Sequence, residues 1–191
     1  MECRKFDLDM LREICMSQMP QDFPAAEIKP FSMIQQLYAK GLYSGYGFYD
    51  DQTLLGYALF CGTPDKKYLL LDYLAVLAPF RSGGLGSQML ACIRDSFAAY
   101  HALLLEVEDD DYAPTAAEQE LQIRRIRFYQ RNGVKMSAVR SYVYRCRFKI
   151  MYMELQESMD NRTVYNALDA VYHTLFTPVQ LTRHVEISNL E

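Results

Sequence analysis

Apolar positions recur at helical spacing at Leu8, Leu11, Ile14 and Cys15, and again after Pro30 at Phe31, Ile34, Leu37 and Tyr38, with Gly41 placed to cap the second helix. The link between them, MPQDFPAAEIKP over residues 19–30, is interrupted by prolines, so it is expected to be a non-helical, substrate-facing loop. YSGYGFYD and LLGYALFC flank Asp50, Asp51 and Gln52 and predict an antiparallel hairpin. After a Pro64-Asp65 turn, YLLLDYLAV predicts a third strand.

A glycine-rich turn then opens a helix that keeps Met89, Ile93 and Phe97 on one face, and HALLLEVED follows as a buried strand, a strand-helix-strand unit with parallel pairing. Thr115 and Glu118 form a T-x-x-E capping box for a helix running through Ile123, Ile126 and Tyr129 to Gly133. Tyr142, Tyr144, Cys146 and Phe148 alternate, and KIMYMEL follows, which predicts two more strands. Val164, Leu168, Val171 and Leu175 form a helical stripe, and Val179, Leu181, Val185 and Ile187 predict a last strand. The pattern is that of an α/β protein whose central mixed sheet is flanked by helices. It is expected to be one domain over residues 1–191, with a helix and strand extension from about 160–191.

Composition narrows this picture. With 191 residues, half of them apolar, the chain suffices for one well-buried domain and is short for two. No basic-then-apolar leader opens it and no apolar run reaches the roughly 18 residues of a membrane span, so a cytoplasmic protein without a membrane partner is expected. Its five cysteines are odd in number and form no C-x-x-C pair, which indicates neither a disulfide framework nor a metal site. A net charge of -4 argues against general nucleic-acid binding, but residues 106–120 carry seven acids and no Lys or Arg, and residues 124–149 carry nine basic residues and no acid. Either a solvated acidic loop precedes a basic helix and strand, or an anionic ligand meets the basic part and a cationic substrate the acidic part.

The candidate chemistry lies in LLLDYLAVLAPFRSGGLGSQMLACIRDSF, residues 69–97. Gly83, Gly84 and Gly86 remove side chains where a ligand approaches the backbone, and the free N–H groups of the next helix turn point the same way, with Arg81 adding a positive charge. A P-loop would need a Lys after its last glycine, and there is none. A dinucleotide turn fails because Met89 occupies the third glycine position and five residues, Leu77 to Arg81, separate strand from turn, although Glu106 does close the next strand. What remains is R-x-x-G-x-G, carried by Arg81, Gly84 and Gly86.

On this motif, on the order of elements from about 43 to 155, and on FYQRNG with its tyrosine before a glycine, the chain resembles the GNAT superfamily of acetyl-CoA-dependent N-acetyltransferases. The resemblance implies a sheet with splayed parallel strands and acetyl-CoA as co-substrate. Leu74, Ala75 and Val76 would pair their backbone with the pantetheine arm, a backbone N–H near Val76 serving as oxyanion donor. Arg81, Ser82, Gly83, Gly84, Leu85, Gly86 and Ser87 would hold the pyrophosphate. Tyr129 would be the acid that protonates the departing thiolate, and Glu106 the base, since LEVE is similar to the LEV-type strand of ribosomal-protein alanine acetyltransferases. The inserted Asp109, Asp110 and Asp111 depart from that spacing, and Asp72 and Glu27 are rival bases.

The implied reaction is direct attack of a primary amine, on a small molecule or a peptide, with Phe23, Tyr43, Tyr46, Phe48 and Tyr144 among the residues expected around the acceptor. Two other classes stay open: a non-catalytic acetyl-CoA sensor, and a nucleic-acid adaptor using the Tyr- and Arg-rich stretch 140–149. The helix over 163–176 would cover the sheet or form a homodimer contact.

Overall fold

Residues 1–25 and 27–189 are described by a computed structural model in which the chain forms two units, Met1–Cys61 with Leu71–Asp95 and Gly62–Leu70 with Ser96–Glu191. Of the expected N-terminal loop, Ala26 lies outside the described residues, as do residues 190 and 191 of the extension.

In the first unit the strand order is β1 (Glu2–Lys5), β2 (Tyr43–Asp50), β3 (Thr53–Gly62) and β4 (Tyr68–Val76). The β2-β3 hairpin sets Tyr43 opposite Cys61 and Asp50 opposite Thr53, turning at Asp51 with φ 50°. Strand β1 carries no apolar alternation and was not expected. It adds to β2 through backbone pairing, Cys3 opposite Phe48 and Lys5 opposite Tyr46. The first helix runs further than the prolines suggested. α1 (Leu8–Glu13) passes through a π-turn (Ile14–Gln18) into α2 (Met19–Asp22), burying Leu11, Ile14, Cys15 and Met19. Pro20 is tolerated because it lies in the first turn of α2, where its missing N–H is not needed. The expected non-helical link therefore begins only at Phe23.

α3 (Phe31–Ala39) ends in a Schellman motif: Gly41, at φ 70°, donates to the Tyr38 carbonyl (2.9 Å) and Leu42 donates to that of Leu37 (3.0 Å). α4 (Leu85–Ser96) buries Met89, Leu90 and Ile93, the face expected from the sequence.

The second unit has the order β5 (Ala102–Glu108), β7 (Cys146–Glu154), β6 (Lys135–Val143) and β8 (Val185–Asn189), each neighbouring pair antiparallel. Leu104 faces Tyr152, Glu106 faces Ile150 and Glu108 faces Phe148 across β5 and β7. The alternation from Tyr142 to Phe148 is broken in the middle. Val143 pairs with Cys146 around a tight turn in which Tyr144 and Arg145 both take left-handed φ, 46° and 78°. That conformation suits the right-handed twist of a hairpin, but its usual residues are Asn and Gly, so the turn left no signature.

α5 (Ala116–Arg131) starts on Thr115, whose hydroxyl accepts from the Glu118 N–H at 3.2 Å, as the capping box predicted. α6 (Asn161–Leu175) buries Val164, Ala167, Leu168, Val171, Tyr172 and Leu175 within its own unit. Val179 and Leu181, expected in a strand, belong instead to α7 (Pro178–His184). Thr177 and Gln180 cap it reciprocally and Pro178 fits its first turn, so the strand begins at Val185.

The acidic segment is not a solvated loop. Lys149 Nζ lies 2.6 Å from Asp110, 2.9 Å from Asp111 and 3.4 Å from the buried Asp109, which Arg140 also approaches at 3.5 Å. The opposite charge blocks of the sequence thus neutralise each other in part inside this unit. Among the described residues, no helix is long and apolar enough to cross a membrane, no group of His, Cys, Asp or Glu can hold a metal ion, and Cys15, Cys61 and Cys92 form no disulfide.

Candidate functional site

The glycine turn is built at the end of β4. Leu77 N–H donates to the Leu55 carbonyl (2.9 Å), a single 3₁₀ turn spans Ala78–Phe80, and the chain then passes Arg81 into two left-handed positions, Ser82 at φ 71° and Gly84 at φ 75°. The amides of Ser87 and Gln88 bond back to the Gly84 carbonyl at 3.1 and 3.4 Å, closing the first turn of α4. Among the described residues, the amides of Gly83, Gly84, Leu85 and Gly86 have no protein acceptor. They form a row of N–H groups at the positive end of a twelve-residue helix, an arrangement suited to a phosphate group. Just before it, Ala75 is buried and Leu74 and Val76 are half-buried. Gly56 on β3 permits this packing, since a Cβ there would lie 2.5 Å from the Ala75 carbonyl oxygen.

Arg81 differs from expectation. Its charge is not simply presented to a ligand: Nη2 pairs with Asp22 Oδ1 at 2.6 Å and Nε donates to the Val76 carbonyl at 3.0 Å. The Asp22 carboxylate is buried and also accepts from the Tyr57 hydroxyl at 2.9 Å, while burial first and that bond second push the Tyr57 phenol far up from its ordinary pKa. Arg81 therefore ties the glycine turn to the end of β4 and to α2. Asp22 and Tyr57 were missed because they stand 59 and 24 residues from Arg81, and nothing local to any of the three marks the contact.

The rival base Asp72 is committed elsewhere. Its buried carboxylate accepts from Tyr43 (2.5 Å) and pairs with Lys29 Nζ (2.6 Å). The Tyr73 hydroxyl donates to the carbonyl of Glu27, the other rival, and accepts from the Lys29 N–H, and the Phe23 ring meets the Tyr73 ring edge-on at 5.0 Å. Phe23, Glu27 and Lys29 are thus fixed onto β4. Of the aromatic residues expected around an acceptor, Tyr43 and Phe48 are core residues, whereas Tyr144 is 45% exposed and stacks on His184.

The second unit holds Glu106 and Tyr129. Glu106 projects from β5 and accepts a short hydrogen bond from the Tyr172 hydroxyl of α6, whose oxygen is 2.8 Å from Ser141 Oγ. Tyr129 is held by another Schellman motif. Its carbonyl accepts from Val134 (3.1 Å), and Gly133, at φ 84°, donates to Gln130 (3.1 Å), so the glycine that ends α5 also fixes the backbone of the tyrosine. Its ring packs edge-on against Phe128 at 5.2 Å. Burial pushes the phenol up to about 12, opposed by the Arg125 charge one turn earlier. The first unit thus gathers the backbone and glycine-turn residues, Leu74 to Val76 and Arg81 to Ser87, and the second carries the two titratable side chains.

A helix N-terminus whose amides have no protein acceptor, reached from β4 through a 3₁₀ turn in an α/β fold, is an arrangement suited to main-chain contact with an anionic group. A sequence profile of the Acetyltransferase (GNAT) family matches residues 8–134. A GNAT-family protein from Bacteroides thetaiotaomicron is similar in structure with a TM-score of 0.71 and 19% identity, covering 92% of this chain and 97% of that one. The ribosomal-protein-S18-alanine N-acetyltransferase of Escherichia coli follows at a TM-score of 0.56 and 19% identity over 84% of this chain and 97% of its own. Spermidine N-acetyltransferase from Vibrio cholerae, in complex with CoA and spermine, has a TM-score of 0.56 and 12% identity over 81% and 95%. No curated protein sequence matches. The chain belongs to the GNAT family of acetyltransferases, whose co-substrate is acetyl-CoA, and its interleaved strands and helices are the α/β fold of these neighbours.

Proposed function

We propose that this chain moves an acetyl group from acetyl-CoA to a primary amine by direct attack, the whole chain acting as one acetyltransferase domain. The observation that carries the reading is the row of amides from Gly83 to Gly86 that the protein itself leaves without acceptors. Arg81, Ser82, Gly83, Gly84, Leu85, Gly86 and Ser87 hold the pyrophosphate in this reading, and the backbone of Leu74, Ala75 and Val76 pairs with pantetheine. The Val76 N–H donates to the oxyanion of the tetrahedral intermediate. In this reading the enzyme is cytoplasmic, a compartment in which buried thiols such as those of Cys15 and Cys61 stay reduced.

Glu106 takes the proton of the attacking nitrogen, and Tyr129 gives one to the departing thiolate. A phenol at about 12 is loaded with its proton at every physiological pH. Complete transfer to a thiolate of pKa near 8.5 is uphill by roughly 3 to 4 units, or about 5 kcal/mol. That fits well inside the ~16 kcal/mol barrier that corresponds to ~10 turnovers per second. The acceptor is an amine on a small molecule or a peptide. The names of the related enzymes span both, a ribosomal-protein alanine and a polyamine.

The test is thiol release from acetyl-CoA over a panel of amines: a polyamine, an aminoglycoside, a lysine side chain and a peptide with N-terminal alanine. Amine-dependent release is expected, falling by roughly 10² to 10⁴ in Tyr129→Phe with the KM for acetyl-CoA little changed. Thermal stabilisation by acetyl-CoA without release on any amine would make the chain a sensor instead. An unchanged rate in Tyr129→Phe would remove that residue from the acid role.

A further inference from the structure

Helix α6 lies beyond the residues matched by the family profile, yet it sends one polar atom toward β5. Tyr172 is 1% exposed, and its body belongs to the apolar stripe of Val164, Ala167, Leu168, Val171 and Leu175. Its ring is clamped by Phe176 at 5.6 Å, and its hydroxyl reaches Glu106 on one side and Ser141 of β6 on the other. A tyrosine serving only as core would gain nothing over phenylalanine at this position, because an unpaired hydroxyl costs stability.

The proton arrangement in this chain is fixed by its end. An ionised carboxylate only accepts, so the Tyr172 hydroxyl must donate to Glu106, and its oxygen then accepts from Ser141 Oγ–H at 2.8 Å. When Glu106 holds a proton, the same three groups reverse: the carboxyl donates to Tyr172 and Tyr172 donates to Ser141. Either way the Tyr172 hydroxyl has one partner for its proton and one for its oxygen, and adjacent hydrogen bonds polarise one another.

We infer that Tyr172 is a positioning residue for Glu106, holding the carboxylate in one orientation while it takes and releases a proton. This rests on Glu106 being the base of the proposed reaction. In the step concerned, the N–H bond of the acceptor ammonium breaks and an O–H bond forms on Glu106, while the Tyr172 hydroxyl turns its proton from Glu106 to Ser141 Oγ, whose own proton turns away from Tyr172. The base thereby depends on an element outside the family's matched region, and α6 becomes part of the catalytic apparatus of this chain.

Tyr172→Phe keeps the ring and deletes only the hydroxyl. Steady-state thiol release with the best amine should show kcat lowered on the order of tenfold and the KM for acetyl-CoA unchanged. The double variant Glu106→Gln/Tyr172→Phe should be no slower than Glu106→Gln alone, because Tyr172 acts only through Glu106. A purely structural role would multiply the two losses instead. If Glu106→Gln retains full activity, the base assignment falls and this inference with it. If Glu106→Gln is impaired while Tyr172→Phe has a normal kcat, or if the two losses multiply, the inference alone is overturned. Should Tyr172→Phe not fold, Ser141→Ala in the same cycle carries the test, with a smaller kcat loss that is absent in the Glu106→Gln background supporting it and an independent loss, or none, refuting it.

Discussion

The contact that holds the glycine turn, Asp22 between Arg81 and Tyr57, can be tested by removing its centre. In Asp22→Ala two things are lost, and they differ in weight. Arg81 is half exposed, so its ion pair, although only 2.6 Å long, is screened by water and is worth at most ~1 kcal/mol. Tyr57 is fully buried, and its hydroxyl would lose the Asp22 carboxylate, which costs about 1–3 kcal/mol. The variant should therefore lose about 1–4 kcal/mol, most of it through Tyr57. Arg81→Met should lose under about 1 kcal/mol by the same reasoning. The decisive assay is a double-mutant cycle by urea unfolding. Tyr57→Phe deletes the hydroxyl that Asp22→Ala strands, so the double variant should be less destabilised than the sum of the singles by about 1 kcal/mol. Additivity within ~0.3 kcal/mol would mean that the buried hydroxyl does not depend on Asp22, and the anchoring role would be refuted.

Gly84→Val places a β-branched residue at φ 75°, where an L residue costs roughly 1–2 kcal/mol, but nothing lies within 4 Å of the new Cβ, so the damage is conformational. Calorimetry should show acetyl-CoA binding abolished, and a normal affinity would sink the pyrophosphate-loop assignment. A second prediction concerns alkaline pH. Burial pushes the phenol of Tyr129 and the thiols of Cys15 and Cys61 up to about 12, so the unfolded chain ionises before the folded one. Stability is present in full below the unfolded pKa values and is lost as pH rises through the folded ones. Tyr129 accounts for at most about 2–3 kcal/mol of that loss between pH 10 and 12. Urea midpoints should fall less steeply over that range in Tyr129→Phe than in the wild type, and parallel slopes would contradict the burial of the phenol.

The parts of the fold visible in the sequence are those set by neighbours along the chain. Gly41 and Gly133 end helices because the capping motif needs a left-handed residue, and Thr115 starts one because its hydroxyl meets an amide three residues on. The glycine turn is of the same kind, since its amides are freed by backbone geometry within residues 82–88. Local reading failed where a second local signal was overlooked or one residue type stood in for another. Thr177-Pro178 with Gln180 is a helix start hidden under strand-like spacing, and Pro20, which reads as a helix breaker, sits in a first turn that accepts it. Tyr144 and Arg145 adopt the φ of an Asn-Gly turn without being either.

The side chains that set the electrostatics of the candidate site follow a different logic. Asp22 meets Arg81 59 residues away, Tyr172 meets Glu106 66 residues away, and Lys149 gathers three aspartates about 40 residues upstream. In the case of Tyr172 the apolar body satisfies the local pattern completely, and only its tip meets Glu106 and Ser141. A helical stripe of Val164, Leu168, Val171 and Leu175 would have the same periodicity with phenylalanine at 172. The one trace such a residue leaves is a hydroxyl on a face that burial empties of water, and a buried hydroxyl must have a partner. Main-chain geometry is therefore legible from spacing, as in the amide row of Gly83 to Gly86. The surroundings of a carboxylate such as Glu106 are decided by which distant strand or helix supplies that partner, and they become visible only once the chain is folded.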